Sequence, residues 1–90
     1  MIATNQFTLN ATTPTAIATA VGLTQVVITG AGGGTILLGG PGLNQSNGFM
    51  VTPSNAPDRT HSIVLLTTGD VLNALAPTGT TPTITVLVSN

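Results

Sequence analysis

Residues 83–88 read Thr-Ile-Thr-Val-Leu-Val (TITVLV), a run in which side chains of two kinds alternate along the chain. In an extended strand this order places Ile84, Val86 and Val88 on one face. The opposite face carries two threonines and Leu87. A period of two, rich in β-branched residues, predicts a strand that buries one face in a core.

The same pattern recurs along most of the chain. Residues 24–29 (TQVVIT) place Val26 and Ile28 on one face and polar residues with Val27 on the other. Six more stretches resemble strands, and clusters of Gly, Pro, Asn and Asp separate them. These stretches are 5–10, 15–21, 35–39, 48–52, 61–67 and 71–76.

Short strands at such spacing predict an all-β fold, a compact antiparallel β-sandwich or jelly-roll-like barrel of about 7–8 short strands. We expect residues 1–14 to form an N-terminal arm and first strand, and residues 15–90 to form a single β-sandwich domain. The arm should be separable, so that deleting residues 1–10 leaves the sandwich folded. Two helices remain as alternatives, one from Pro14 to Ala20 and one from Asp70 to Ala76.

Charged residues are almost missing from the composition. The 90 residues include one Arg, no Lys, two Asp and no Glu, whereas 18 are Thr. Globular domains are typically about 25% charged. One Arg cannot displace the counterions of duplex DNA or bind anionic lipid, so we expect no nucleic-acid and no membrane partner. An uncharged polar surface favours self-association, which predicts a homo-oligomer, and we expect the chain to be made in the cytoplasm without a leader.

The glycine-rich stretch 26–35 (VVITGAGGGT) looks at first like a dinucleotide-binding turn. The G-x-G-x-x-G pattern fails, because Thr35 stands where the third glycine belongs. The following residues, TILLGGPG, are β-branched and then broken by glycine, whereas the motif requires a helix there. We therefore interpret Gly30 to Gly34 as a loop joining two strands.

The ionisable residues are too few for most chemistry. Asp58, Arg59 and His61 lie together in a Pro- and Asn-rich loop, where a solvated ion pair is the simpler interpretation. Asp70 follows Gly69 and is typical of a turn. With one His and no Cys or Glu, we expect no catalytic residues, no metal site and no cofactor. The sequence predicts that the protein is not an enzyme.

Residues 61–67 (HSIVLLT) are apolar on both faces of the predicted strand. Ile63 and Leu65 share one face, and Val64 and Leu66 share the other. A small sandwich can bury only one face of a strand in its core, so the second face predicts a contact with another subunit.

The order of motifs from about residue 20 onward resembles small β-domains of tailed-bacteriophage virion proteins, in particular capsid decoration (cement) proteins. The resemblance rests on Leu38-Gly39-Gly40, on Asn47-Gly48-Phe49, on Gly69-Asp70-Val71-Leu72-Asn73-Ala74 and on the final strand TPTITVLV. Family members often have an aromatic residue where this chain has Asn73.

This resemblance implies a structural virion protein on the capsid surface. Such proteins bind the outside of a phage head as trimers or dimers and stabilise contacts between subunits of the major capsid protein. An alternative is a receptor- or glycan-binding domain of a phage fibre or tail. The Thr-rich and apolar strand faces and the N-terminal residues are the expected contact surface, with the candidate interface residues Ile2, Phe7, Leu9, Val64 and Leu66.

Overall fold

The computed structural model describes residues 2–30, 35–52 and 68–90, together with the backbone of residues 61–65. Eight strands and no helix occur in these ranges. The strands are β1 (Ile2–Thr8), β2 (Thr15–Thr19), β3 (Thr24–Gly30), β4 (Ile36–Gly39), β5 (Phe49–Val51), β6 (His61–Leu65), β7 (Val71–Leu75) and β8 (Thr83–Ser89).

The strands form two four-stranded sheets. Sheet A has the order β1-β8-β3-β6, and sheet B has the order β2-β7-β4-β5. Every pairing is antiparallel. The first strand pairs with the last, β2 with β7, β3 with β6 and β4 with β5, which is a single long hairpin folded over into two sheets. Eight strands connected in this way make a jelly roll.

The predicted all-β sandwich is confirmed. Both segments that could have been helices are strands, β2 and β7. Each predicted strand has a counterpart in the structure, although the ends differ by a few residues.

The core lies between the inner faces of the two sheets. Ile84 and Val86 of β8, and Val26 and Ile28 of β3, are fully buried, as the alternation in their segments predicts. Residues from both sheets complete this cluster: Leu9, Ile17, Ala18, Ile36, Leu38, Val51, Leu72, Ala74 and Ala76. Because the two sheets share this cluster, burial of its apolar surface is the main force that holds them together.

The N-terminal residues belong to the sandwich rather than to a separable arm. Strand β1 pairs with β8 over its whole length, from Ile2 opposite Ser89 to Thr8 opposite Thr83. The backbone N–H of Leu9 then donates to the carbonyl of Pro82 at 2.8 Å. Deleting residues 1–10 would therefore remove a paired strand and a core side chain, Leu9. Whether the rest of the sandwich folds without them stays a prediction.

The loop 40–48 between β4 and β5 covers part of the outer face of sheet B. Its Leu43 packs on Leu37 and Leu75, and all three are buried in a small second cluster. The amide of Gln45 donates to the carbonyl of Ala76 at 2.7 Å. The loop thus shields apolar side chains that a two-sheet sandwich would otherwise expose.

Asparagine side chains hold the loop in its shape. The carboxamide oxygen of Asn44 accepts the backbone N–H groups of Ser46 and Asn47, at 2.8 and 3.1 Å. Asn47 in turn accepts the N–H of Asn44 at 2.8 Å and donates to the carbonyl of Gly42 at 3.0 Å. Side chains that bond nearby backbone in this way replace the hydrogen bonds that a loop lacks.

We expect Gly48→Ala to destabilise the protein by about 1–3 kcal/mol, because the loop packs too closely for a methyl group. A Cβ at Gly48 would lie 2.7 Å from the Cβ of Leu37. Gly40→Ala is the matched control, since nothing lies within 4 Å of a Cβ there. Urea unfolding of both variants measures the difference, and equal stabilities would contradict this packing.

Candidate interaction surface

The outer face of sheet A carries uncharged side chains in every described position of β1, β8 and β3. Strand pairing places residues of β1, β8 and β3 in rows, such as Thr4, Leu87 and Val27. Because side chains alternate along each strand, every second residue belongs to this face. We call this set the sheet A outer face: Ile2, Thr4, Gln6, Thr8, Gln25, Val27, Thr29, Thr83, Thr85, Leu87 and Ser89.

All eleven side chains are uncharged, and five of them are threonine. None is buried. Loop 40–48 lies on the opposite sheet, and among the described residues no comparable loop cluster packs on the sheet A outer face. Among the described residues, a loop therefore covers part of the outer face of sheet B and none covers the outer face of sheet A.

Large apolar side chains are exposed at one end of this face. Ile2 is 72% exposed and pairs with Ser89, which also pairs with Gln25. Leu87, in the next row, is 39% exposed, and Leu23 beside the face is 69% exposed. Contiguous exposed apolar side chains are typical of contact sites.

Leu23, Gln25, Ser89 and Asn90 line an open depression of about 430 Å³. Leu23 supplies an apolar side chain to this lining, and the depression lies at the end of the sheet A outer face where Ser89 pairs with Ile2. Depressions of this size accommodate a side chain of a partner, and such anchored side chains dominate the energy of many interfaces.

Thr24 fixes the turn that presents Leu23. Its side chain is fully buried, and its hydroxyl accepts the N–H of Val21 at 3.1 Å and donates to the carbonyl of Gly22 at 3.3 Å. The N–H of Gly22 donates to the hydroxyl of Thr68 at 2.7 Å, which ties the turn to the start of β7. Because the backbone N–H groups of Val21 and Gly22 are both hydrogen-bonded, the turn is fixed and keeps Leu23 exposed.

We expect Thr24→Val to destabilise the protein by about 1–3 kcal/mol, because it leaves the N–H of Val21 without its acceptor. Thr24→Ser keeps the hydroxyl and is the control. Thermal unfolding measures both, and a Val variant as stable as the Ser variant would contradict this role of the hydroxyl.

The predicted interface residues fall in different environments. Ile2 lies on the sheet A outer face, whereas Phe7 is half-buried and packs against the core. Leu9 is fully buried and is unavailable to a partner, so its assignment to the interface is corrected. Its position at the end of β1 turns it inward, where it joins the core. Val64 pairs with Gln25 through the backbone, and Leu66 lies outside the described residues.

The glycine-rich stretch has a structural explanation at its first glycine. Gly30 ends β3 with a φ of 98°, and a Cβ there would lie 3.2 Å from the carbonyl oxygen of Thr83. Residues 31–34 lie outside the described ranges. The next element is the strand β4, where a dinucleotide fold needs a helix. Because β3 belongs to sheet A and β4 to sheet B, the connection crosses between sheets.

The predicted ionisable cluster lies largely outside the described residues. Asp58 and Arg59 are not described, and only the backbone of His61 is. Asp70 precedes β7, and its carbonyl accepts the N–H of Ala20 at 2.7 Å. In the described part of the chain, no three potential metal ligands lie together. No helix long and apolar enough to cross a bilayer occurs there.

Sequence reasoning missed four exposed apolar residues. Leu23 follows a turn glycine, and Val21, Phe49 and Met50 are 65–73% exposed. Phe49 and Met50 lie on β5, an edge strand of sheet B. A large aliphatic residue directly after a turn glycine was the available signal for Leu23, whereas nothing in the sequence distinguishes Phe49 from a core aromatic.

Comparisons with protein-family models, with curated proteins and with solved structures gave no significant match.

Proposed function

We propose that the protein is a structural component of a bacteriophage particle, a capsid decoration protein that binds the outside of the head. It stabilises contacts between subunits of the major capsid protein, has no catalytic activity and takes no cofactor. The observation that carries this proposal is the sheet A outer face, an uncharged surface that no described loop covers.

Charge is the first support. The centres of protein interfaces are depleted in Lys, Glu and Asp relative to other surfaces. The sheet A outer face has none of these residues. Threonine can hydrogen-bond a partner through its hydroxyl while its methyl group is buried, so a threonine-rich face suits permanent contact. Such a face does not suit the attraction of nucleic acid or of an anionic membrane.

The shape of the face is the second support. A sheet presents side chains from several strands at once, and here the apolar ones lie at the end that also holds the depression. Leu23, Ile2 and Leu87 would be the anchors, and the threonines would form the polar surroundings. The face therefore has an apolar end, where side chains of a partner would be anchored, and a threonine-rich remainder that would hydrogen-bond the partner.

The fold is compatible with this function but does not by itself establish it. Jelly rolls occur in viral capsid proteins, in lectins and in cupins. Because one fold serves several functions, the function must be inferred from the residues on the surface. The resemblance of the motifs from Leu38 to the final strand to phage decoration proteins adds independent support.

The proposal is tested on particles of the phage that encodes the chain, produced with and without its gene. Quantitative mass spectrometry should find a copy number of the chain per particle that matches the number of symmetry-related sites on the capsid. Heads that lack it should release DNA at a lower temperature. A few copies per particle with unchanged head stability would indicate a fibre or tail domain, and absence from the particle would refute the proposal.

A further inference from the structure

Strand β1 leaves one of its two edges open. Its seven residues pair with β8 in a continuous register from Ile2 to Thr8. In the described part of the chain no strand pairs with the other edge. The strand contains no charged residue, no proline and no glycine. An edge of this kind is a template for pairing with another strand.

The other three edge strands are protected in ways that β1 is not. Strand β2 has five residues, and its register shifts between Ala16 and Ala18. Strand β5 has three residues. Strand β6 has five, and Asp58 and Arg59 precede it in the sequence. Short edges, irregular register and charge all discourage edge-to-edge pairing, so the contrast singles out β1.

The hydrogen bonds between β1 and β8 show which backbone groups of β1 point toward its unpaired edge. The N–H of Leu9 donates to the carbonyl of Pro82, toward β8. In an antiparallel ladder this direction alternates from residue to residue. Asn5 and Phe7 therefore bond β8, whereas Thr4 and Gln6 direct their N–H and C=O groups outward. Ile2 and Thr8 follow the same outward pattern.

We propose that the open edge of β1 pairs with β1 of a second copy of this chain, antiparallel and about a twofold axis at Asn5. In this register Ile2 lies opposite Thr8 of the second copy, and Thr4 opposite Gln6 of the second copy. These are the outward-directed residues, so about eight backbone hydrogen bonds form. The two copies of sheet A become one continuous eight-stranded sheet.

The side chains of β1 complement themselves in this register. On the inner side, Ala3 lies opposite Phe7 of the second copy, so a small residue faces a large one. Although Ala3 and Asn5 lie on the inner side of sheet A, both are exposed. The second copy therefore has space beside them. The two Asn5 side chains meet at the axis, where amides donate and accept in equal number. No like charges meet, because the strand has none.

A second copy is the occupant that this edge fits best. Twofold dimers are the commonest symmetric assembly, and their interfaces are self-complementary. Pairing also joins the sheet A outer faces of two copies into one larger uncharged surface. The inference does not depend on the partner that this surface binds, since the edge and the face use different groups.

The test places a charge at the axis and measures association by sedimentation velocity, from low micromolar to near-millimolar concentration. The unmodified chain should dimerise. Asn5→Lys and Asn5→Asp should each raise the dissociation constant by more than about tenfold, because like charges meet at the axis. An equal mixture of the two variants should restore the dimer. Thr78→Lys, at an exposed position in the β7–β8 turn, is the control and should dimerise normally.

Amide hydrogen exchange tests the register independently. Protection of Thr4 and Gln6 should increase with protein concentration, whereas Asn5 and Phe7 should be protected at all concentrations. A chain that stays monomeric throughout, or a dimer that tolerates both charges at Asn5, overturns the inference. Either result leaves the capsid proposal standing, because particle binding is measured separately.

Discussion

Replacing Ile84 by alanine should destabilise the protein by about 2–5 kcal/mol, the range expected when a buried aliphatic side chain leaves a cavity. Ile84 is fully buried on β8, which lies between β1 and β3 in sheet A. Its partners across the two ladders are Phe7 and Gly30. Glycine has no side chain that can fill the space, so the site cannot collapse easily.

A loss of this size is a large fraction of the total stability of a small domain, which is about 5–15 kcal/mol. Urea unfolding followed by far-ultraviolet circular dichroism measures it. Leu87→Ala on the same strand is the matched control, because its side chain faces outward and is 39% exposed. We expect that variant to lose less than about 1 kcal/mol. Similar losses at both positions would contradict the assignment of the two faces of β8.

On the proposed function, replacing Leu87 by lysine should weaken binding of the chain to heads made without it by about thirtyfold or more, because an unpaired charge would be buried in the proposed contact. Leu87 lies in the row that also contains Thr4 and Val27. None of these neighbours carries a charge that could pair with the new ammonium group. The folded chain itself should tolerate the change, since the side chain is already partly solvated.

Binding is measured by co-sedimentation of the purified chain with heads made without it. Thr78→Lys adds the same charge in the β7–β8 turn, outside the sheet A outer face, and should bind normally. A Leu87→Lys variant that unfolds at the same urea concentration as the unmodified chain yet binds poorly supports the proposal. Undiminished binding would show that the sheet A outer face is not the contact surface.

Much of the fold was predictable because the buried pattern is local. In 83–88 and 24–29 the apolar residues at alternate positions are the ones that the core buries. The turn clusters separated all eight strands. Even the two segments with helix-like starts are strands, because tertiary pairing with neighbouring strands outweighs a local capping signal.

The ends of strands and their pairing were not predictable in the same way. The first strand was expected at 5–10 but spans Ile2–Thr8. Its first three residues, Ile2, Ala3 and Thr4, pair with residues of β8 that are more than 80 positions away in the sequence. Leu9 illustrates the consequence. A sequence can show that it is apolar, but only the strand end at Thr8 reveals that it turns into the core.

The types of residue on the candidate surface could be predicted from the sequence, but the location of that surface on the fold could not. The low charge and the abundance of threonine predict contact with other chains, which stays a prediction, whereas the alternation correctly placed Leu87 with threonines on one face of β8. That β1, β8 and β3 lie side by side depends on the jelly-roll order, which no local pattern encodes. The exposure of Leu23 and the covering of sheet B by loop 40–48 follow from the same nonlocal arrangement.

Cryo-electron microscopy of the virus particle in which we propose that the chain lies would show its position and its orientation. We expect density for this jelly roll on the outer surface of the head, at repeating positions of the shell. The sheet A outer face, with Leu87 and Leu23, should lie against the capsid subunits. A head without this density would contradict the proposed function. A bound chain whose sheet A outer face points to solvent would contradict the assignment of that face as the contact surface.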